Sequence, residues 1–193
     1  FVSTMMLRNP DTRVQLEDTY QKIVKLVEDE PDINDISAIE INGVENKFTI
    51  DEWGMFKNRK ENDHHKFFTS YIQSEVIHIA EKMLKKRWSI LFSEKPFFIT
   101  SDKPVSIQHL TKNTFGVDFG LDTEGTFIMF PISPSRVLIM DDMHNEPAGQ
   151  YYPLKDNSYG SYNLLTWKNS RRFMISSRDI NVVLKEMLNE FDS

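Results

Sequence analysis

Cysteine is absent from this chain of 193 residues, which excludes disulfide bonds and catalysis by a thiol nucleophile. Long apolar runs are also missing, and none approaches the roughly 20 residues that a membrane-spanning helix needs. The chain begins with Phe rather than Met and carries no signal-peptide pattern. We therefore expect a soluble, cytoplasmic protein, represented here by a fragment that lacks the native N-terminus.

Basic residues are fewer than acidic ones: the chain has 23 Lys and Arg against 29 Asp and Glu, which gives a net charge of -6. Nucleic acids and anionic membranes are polyanions, so this balance argues against both as partners. A local basic stretch, Lys82, Lys85, Lys86 and Arg87, could line a groove for nucleic acid. It also suits the end of a helix, whose dipole attracts cations, and that structural explanation suffices.

The apolar residues that are present predict helices in the first part of the chain and at its end. Residues 63–88 form the clearest predicted helix, and another follows Ser176. Residues 158–170 predict a further helix, and Asn9-Pro10 marks a helix boundary. The predicted core residues recur at helical spacing on two of these segments: Ile72, Val76, Ile79, Met83, Leu184, Met187 and Leu188.

Short aromatic and β-branched runs predict strands in the second half, at residues 89–92, 97–100, 126–132, 137–140 and 173–175. We expect these strands to form one mainly antiparallel sheet. A small hairpin is predicted earlier, with Ile39 and Ile41 on one side of Asn42-Gly43 and Phe48 and Ile50 on the other. Residues 109–125 and 144–157 are rich in turn formers and predict loops.

The order of these elements favours an α+β fold over a doubly wound parallel sheet, because long strand–helix alternation is absent. We expect one α+β domain over residues 1–193, with a helical part at 1–88 and a sheet-rich part at 89–193. The mainly antiparallel sheet comes from the second half of the chain. Helices of the N-terminal half and the C-terminal helix are expected to cover it.

The segment most suggestive of chemistry is the predicted strand that ends in Ser101-Asp102, with Pro104 two residues later. Ser and Asp bond nearby backbone N–H groups, and Pro fixes the next turn, so a structural turn is one interpretation. The other is a carboxylate held rigidly beside a cleft, where it could bind an Arg or act as a base. As a structural group, Asp102 is expected to be largely buried and held by N–H groups of the following turn together with an Arg.

Several segments, taken in order, resemble the bacterial family known as DUF4238, a domain of unknown function. They are residues 8–10 (Arg-Asn-Pro), 88–91 (Trp-Ser-Ile-Leu), 98–105 (Phe-Ile-Thr-Ser-Asp-Lys-Pro-Val), 130–134 (Phe-Pro-Ile-Ser-Pro), and Asn163 with 172–176 (Arg-Phe-Met-Ile-Ser). Asn9 and Lys103 depart from the residues usual in that family. The resemblance implies a nearly complete match along the chain, and it implies no activity, cofactor or partner.

One set of residues converges on arginine and a carboxylate at the edges of apolar elements. Its members are Arg8, Ser101, Asp102, Arg136, Asn163 and Arg172. Half-buried Arg almost always pairs with a carboxylate, so one interpretation is a structural ion-pair cluster around Asp102. The other is a pocket in which two Arg bind a phosphate or carboxylate bidentately. Catalytic residues are not identifiable from the sequence.

The histidines and acidic pairs do not predict a metal site or a cofactor. His64 and His65 are adjacent and lie about 100° apart around a helix, which is poor geometry for one metal ion. Asp141 and Asp142 with His144 resemble a metal cluster, yet adjacent acids on a strand point to opposite faces. The sequence also contains no His-Glu-x-x-His, Walker or Gly-x-Ser-x-Gly motif.

Two functional hypotheses of different classes remain. The first is an intracellular module that binds a small anionic ligand or a partner protein. The second is a metal-independent hydrolase or nuclease-like effector that uses Asp102 with arginines. Geometry discriminates them, because catalysis needs Asp102 in an open pocket, whereas a structural Asp102 spends its oxygens on backbone N–H groups.

Overall fold

The computed structural model describes residues 1–29, 38–41, 44–47, 50–58, 61–110, 120–155 and 158–189. These residues form two compact units, one made of Phe1–Pro10 with Ser74–Ser193 and the other of Asp11–Gln73. The helices, in chain order, are α1 (Val2–Leu7), α2 (Pro10–Glu28), α3 (Ile50–Lys57), α4 (Glu61–Leu84), α5 (Tyr159–Asn169) and α6 (Ile180–Asn189). The strands are β1 (Ala38–Ile41), β2 (Val44–Lys47), β3 (Arg87–Phe92), β4 (Thr100–Ser101), β5 (Ser106–His109), β6 (Thr126–Ser133), β7 (Arg136–Asp141), β8 (Gln150–Pro153) and β9 (Met174–Ile175).

The unit of residues 11–73 contains α2, the antiparallel hairpin of β1 and β2, α3 and the first part of α4. Helix α2 starts at Pro10, a position where the missing N–H of proline costs no helical hydrogen bond. Tyr20 is buried, and its hydroxyl lies 2.8 Å from the carbonyl oxygen of Phe56 and 2.9 Å from that of Lys57. This contact holds the end of α3 against α2.

The larger unit is organised around a five-stranded sheet of order β5-β6-β7-β3-β8. Its strands pair antiparallel except for β3 and β8, which are parallel. The α+β class, with a mostly antiparallel sheet drawn from the second half of the chain, is therefore confirmed. An irregularity between Pro131 and Ser133 interrupts the β6–β7 ladder, where proline cannot donate a hydrogen bond.

Successive apolar residues of the central strands point to opposite faces of the sheet, and each face packs against its own core. Ile128 and Phe130 of β6 face a cluster with Met83 of α4 and residues of α1, whereas Met129 between them faces a cluster with α5. The same alternation continues on β7, where Leu138 lies on the first side and Val137 on the second. Period-two burial on both faces explains why these strands read as almost continuous apolar runs.

The C-terminal part of the chain adds a third, smaller cluster. Val183 and Met187 of α6 pack with Ile99, and Leu164 of α5 and Met174 of β9 complete the contact. Strand β9 pairs antiparallel with β4, so that Thr100 lies opposite Ile175 and Ser101 opposite Met174. Helix α6 thus packs next to the two-stranded sheet of β4 and β9.

Several sequence predictions need correction. Residues 97–100 and 173–175 were expected in the main sheet, but Thr100–Ser101 and Met174–Ile175 pair with each other in a separate two-stranded sheet, and residues 97–99 are not in a strand. Residues 144–157 were predicted as a loop, yet they contain β8, whose parallel partner β3 lies far away in sequence. The helix predicted to end at Trp88 ends at Leu84, because Arg87 already begins β3.

The predicted core is partly right. Met83 and Met187 are buried, and Ile79 and Leu184 pack against buried clusters. Leu188 is 56% exposed, because the buried face of α6 is set by Val183 and Met187, four residues apart. Ile72 and Val76 are half-buried. Three predicted features lie outside the described residues: the turn Asn42-Gly43, the second-strand residue Phe48 and most of the loop at 109–125.

Candidate functional site

A buried side-chain amide binds the backbone of residues 97 and 99. Asn163 of α5 is 1% exposed, and its Nδ2 donates to the carbonyl oxygen of Phe97 at 2.9 Å while its Oδ1 accepts from the N–H of Ile99 at 3.1 Å. The two bonds satisfy the backbone of an extended segment that has no ladder partner there. Asn163 therefore positions the chain that leads into β4.

The carboxylate of Asp102 binds the backbone of the loop between α5 and β9. Its Oδ1 accepts the backbone N–H of Arg171 at 3.0 Å, and its Oδ2 accepts that of Arg172 at 3.1 Å. The backbone N–H of Asp102 in turn lies 3.3 Å from the carbonyl oxygen of Phe173. The carboxylate thus ties the loop between α5 and β9 to the end of β4.

The predicted partners of Asp102 were wrong in two respects. The following turn is held by Ser101, whose buried Oγ accepts the N–H of Lys103 at 3.1 Å, and not by Asp102. The second predicted partner, an arginine side chain, is replaced in the observed hydrogen bonds by the backbone N–H groups of Arg171 and Arg172. The reason is that residues 171–172 approach through their backbone, so that both side chains remain exposed.

The remaining predicted site residues do not gather into one cluster. Arg8 caps the exposed end of α1, and Arg136 is exposed at the start of β7. Arg172 is exposed beside the loop that Asp102 holds. In the part of the chain that the structure describes, the contacts join Asp102 to the backbone of Arg172, while Asn163 binds the backbone of Phe97 and Ser101 that of Lys103.

An arginine that the sequence analysis missed lies beside Asn163. Arg178 forms two hydrogen bonds of 2.7 Å with the carboxylate of Glu186, and its Nη2 donates to the carbonyl oxygen of Phe97 at 2.8 Å. Its guanidinium also lies 5.0 Å from the centre of the Phe97 ring. The sequence signal is weak, since Arg178 lies just before α6 and Glu186 lies inside it, eight residues later.

A second missed feature joins a basic pair to an acidic pair across two strands. Arg87 and Asp141 are opposite each other in the β3–β7 register and form hydrogen bonds of 2.8 and 2.6 Å. Lys86 is buried and reaches Asp142 at 2.8 Å, and it also donates to the carbonyl oxygen of Thr126 at 2.8 Å. Two residues of the predicted basic stretch, Lys86 and Arg87, therefore pair with the two acids of the possible metal cluster.

The electrostatics of this pairing keep Asp141 ionised. Burial raises the pKa of Asp141, but hydrogen bonds from the Arg87 side chain and from the Met143 N–H, with the nearby positive charge, outweigh it and hold the pKa below 3.8. Its hydrogen bond to Asp141 raises the pKa of Arg87 above its ordinary value. Among the described residues, no group of three His, Cys, Asp or Glu side chains could hold a metal ion.

A cavity of about 390 Å³ lies where three separated segments of the larger unit meet. We call it the three-segment cavity, and its lining residues are 98–100, 131–134 and 175–177. The first segment is the one that Asn163 and Asp102 hold, the second contains the β6 irregularity, and the third runs from β9 towards α6. The described lining is uncharged and combines apolar side chains with the hydroxyls of Thr100, Ser133, Ser176 and Ser177.

The model of the DUF4238 family, described as a protein of unknown function, matches residues 1–179 of this chain. The chain belongs to the DUF4238 family. No curated protein and no solved structure matches it. Within the described residues, every helix is too short or too polar to pass through a bilayer.

The DUF4238 match includes all three segments that line the cavity. Apart from Ser177, these segments also belong to the motifs on which the resemblance rests, namely residues 98–105, 130–134 and 172–176. Motifs that are dispersed along the DUF4238 chain therefore meet around one concave surface. A sequence cannot show this meeting, because it depends on the pairing of β4 with β9.

Proposed function

We propose that this chain is a non-catalytic binding module whose small ligand occupies the three-segment cavity. Its volume of about 390 Å³ falls within the range of typical small-molecule pockets, roughly 300–1,000 Å³. The observation that carries the proposal is the convergence of three sequence-distant segments on this cavity. The resemblance to a bacterial family and the lack of cysteine support a bacterial, cytoplasmic setting.

The lining favours an uncharged ligand with an apolar body and a few hydrogen-bonding groups. Phe98 and Ile99 provide apolar surface, and a hydroxyl can both donate and accept a hydrogen bond. The Oγ of Ser176 accepts the N–H of Arg178 at 3.0 Å, which leaves the hydroxyl proton for a ligand. A planar or cyclic ligand with one carbonyl or hydroxyl group fits this combination.

The sequence pointed to an anionic ligand or a partner protein, and the charges near the cavity make the anion the weaker choice. Arg178, next to the lining residue Ser177, is engaged by both oxygens of Glu186. The amino-terminal end of α6 is served by Asp179, whose Oδ1 accepts the N–H of Asn181 at 2.8 Å. A carboxylate already occupies the position where a helix would attract an anion.

The alternative of a hydrolase or nuclease-like effector rests on Asp102. Each of its oxygens accepts a backbone N–H, at 3.0 and 3.1 Å, which supports a positioning role. A general base must direct an oxygen at the substrate, whereas both oxygens of Asp102 are directed at the backbone of residues 171–172. The binding module is therefore the function that the geometry supports best.

A thermal-shift experiment with matched probes tests the proposal. The neutral probes are p-cresol, benzamide and indole, and the anionic probes are benzoate and phenyl phosphate. A ligand at one hundred times its dissociation constant adds about 2.7 kcal/mol, which raises the melting temperature of a domain of this size by about 5–10 °C. We expect at least one neutral probe to do so and the anionic probes to have little effect.

Two variants of the cavity lining and one control show whether the neutral probes bind in the three-segment cavity. Thr100→Val removes a lining hydroxyl while keeping the side-chain shape, and Ile132→Trp adds bulk at a lining position that is 51% exposed. Both should weaken the shift caused by neutral probes. Thr19→Val is the matched control, because Thr19 lies on α2 and is not part of the cavity lining. A response confined to anionic probes, or one that both cavity variants retain, would overturn the proposal.

A further inference from the structure

A second cavity lies within the unit of residues 11–73. Its volume is about 460 Å³, and side chains from the first half of α2 and the start of α4 line it. We call it the helical cavity. In contrast to the three-segment cavity, it contains charged groups: Arg13, Glu17 and Asp18 from α2, with His64 from α4. Phe67 and Phe68 supply aromatic surface beside them.

The histidine of the helical cavity is oriented by a carboxylate. The Nδ1 of His64 lies 2.7 Å from the Oε2 of Glu17. An ionised carboxylate can only accept a hydrogen bond, so Nδ1 carries the proton and donates. In the neutral ring, Nε2 is then left as an acceptor, and among the described residues it has no hydrogen-bonding partner.

Neighbouring groups hold this pair in place. The ring of Tyr20 packs edge-to-face on His64 with 5.6 Å between ring centres, and Tyr20 is itself fixed by the carbonyl oxygens at the end of α3. The Oε1 of Glu17 accepts from Nε2 of Gln21 at 3.1 Å. Both members of the pair are thus positioned before any ligand arrives, which lowers the entropic cost of binding.

The charges of the lining select the class of ligand. Two carboxylates are acceptors, as is the Nε2 of His64 in the tautomer that donates to Glu17, whereas Arg13 is the one arginine or lysine among the described lining residues. Aromatic faces also attract cations. We propose that the helical cavity is a second binding site and that it takes an organic amine with an apolar body, whose ammonium group meets Asp18 and the Nε2 of His64, while Glu17 fixes the His64 ring.

Calorimetric titration of the full chain with three probes of one shape tests the charge. The probes are 2-phenylethylamine, 2-phenylethanol and 3-phenylpropionate. The amine should bind at least about tenfold more tightly than the neutral alcohol, and the carboxylate more weakly than either. Equal affinities for amine and alcohol, preference for the carboxylate, or no binding of the amine would overturn the proposal.

Two substitutions and a control place the amine in this cavity. Asp18→Asn and Glu17→Gln should each weaken amine binding by about tenfold. Asp29→Asn, just after the end of α2 and outside the lining, should leave it unchanged. Ile132→Trp should also leave it unchanged, which separates this site from the three-segment cavity.

Imidazole nitrogen spectra of the unliganded protein provide the check that a binding loss in Glu17→Gln is not mere unfolding. The wild-type spectrum should show His64 protonated at Nδ1. The Glu17→Gln variant should keep the remaining backbone spectrum while the ring tautomer of His64 changes. A wild-type His64 protonated only at Nε2 would contradict the site, because that nitrogen could not then accept from an amine.

Discussion

Arg87 and Asp141 face each other across neighbouring strands and form two hydrogen bonds of 2.8 and 2.6 Å inside the larger unit. Their side chains are 7% and 11% exposed, so the pair is desolvated on both sides. A buried pair adds little relative to apolar residues, but removing one partner leaves an uncompensated charge. The fold is therefore stable only when β3 and β7 pair in the register that places Arg87 opposite Asp141.

We expect Arg87→Met to lower the free energy of unfolding by about 3–5 kcal/mol, because it leaves Asp141 buried and unpaired. The double variant Arg87→Met with Asp141→Leu should recover most of that loss. Urea denaturation at neutral pH measures both. Lys82→Met is the control, since its partner Asp122 is exposed and solvent screens that pair. A single variant as stable as the wild type would refute the description of this pair.

The same pair predicts a dependence on pH. Because the pKa of Asp141 is lower in the folded chain than its ordinary value of 3.8, its stabilising contribution is complete above that value. The contribution is lost as the pH falls through the folded pKa. The stability difference between wild type and Asp141→Asn should therefore be constant from about pH 5 to 7 and shrink below about pH 4. A difference that grew on acidification would contradict the assignment.

Asp102 allows a test between structure and catalysis. Replacing it with Asn keeps the shape but converts one acceptor oxygen to a donor that faces a backbone N–H. We expect Asp102→Asn to reduce the free energy of unfolding by about 1–3 kcal/mol, the range for a hydrogen bond to a charged group. Chemical denaturation measures this loss. Unchanged stability together with loss of a measurable turnover would favour the effector hypothesis instead.

Local patterns predicted the elements of this fold better than their long-range partners. The helical stripe around Ile79 and Met83 and the strands at 126–132 and 137–140 follow from periodicity, which depends on neighbouring residues. Strand β8 could not be predicted, because Tyr151 and Tyr152 lie among turn-forming residues and pair with β3 about sixty residues away. Likewise β9 has only two residues, too few for a pattern.

The candidate site shows the same limit. Turn chemistry singled out Ser101 and Asp102, and the family resemblance with its place at the edge of an apolar element singled out Asn163. Asn163 binds the backbone of the segment that lines the three-segment cavity, whereas Ser101 and Asp102 bind the backbone of Lys103 and Arg171. The sequence assigned arginine side chains to Asp102, but a sequence does not distinguish a side-chain approach from a backbone approach. The pairing of Arg87 with Asp141 was hidden for a related reason, since it needed the strand register.

The measurement that most directly tests the central claim is the mapping of backbone amide shifts when the best neutral probe is added to the ¹⁵N-labelled chain. The account predicts saturable shifts at Thr100, Ser133, Ser176 and Ser177, which line the three-segment cavity. It predicts none at His64 or Phe67, which line the helical cavity. Shifts that avoid the three segments, while the probe still raises the melting temperature, would contradict the proposed site.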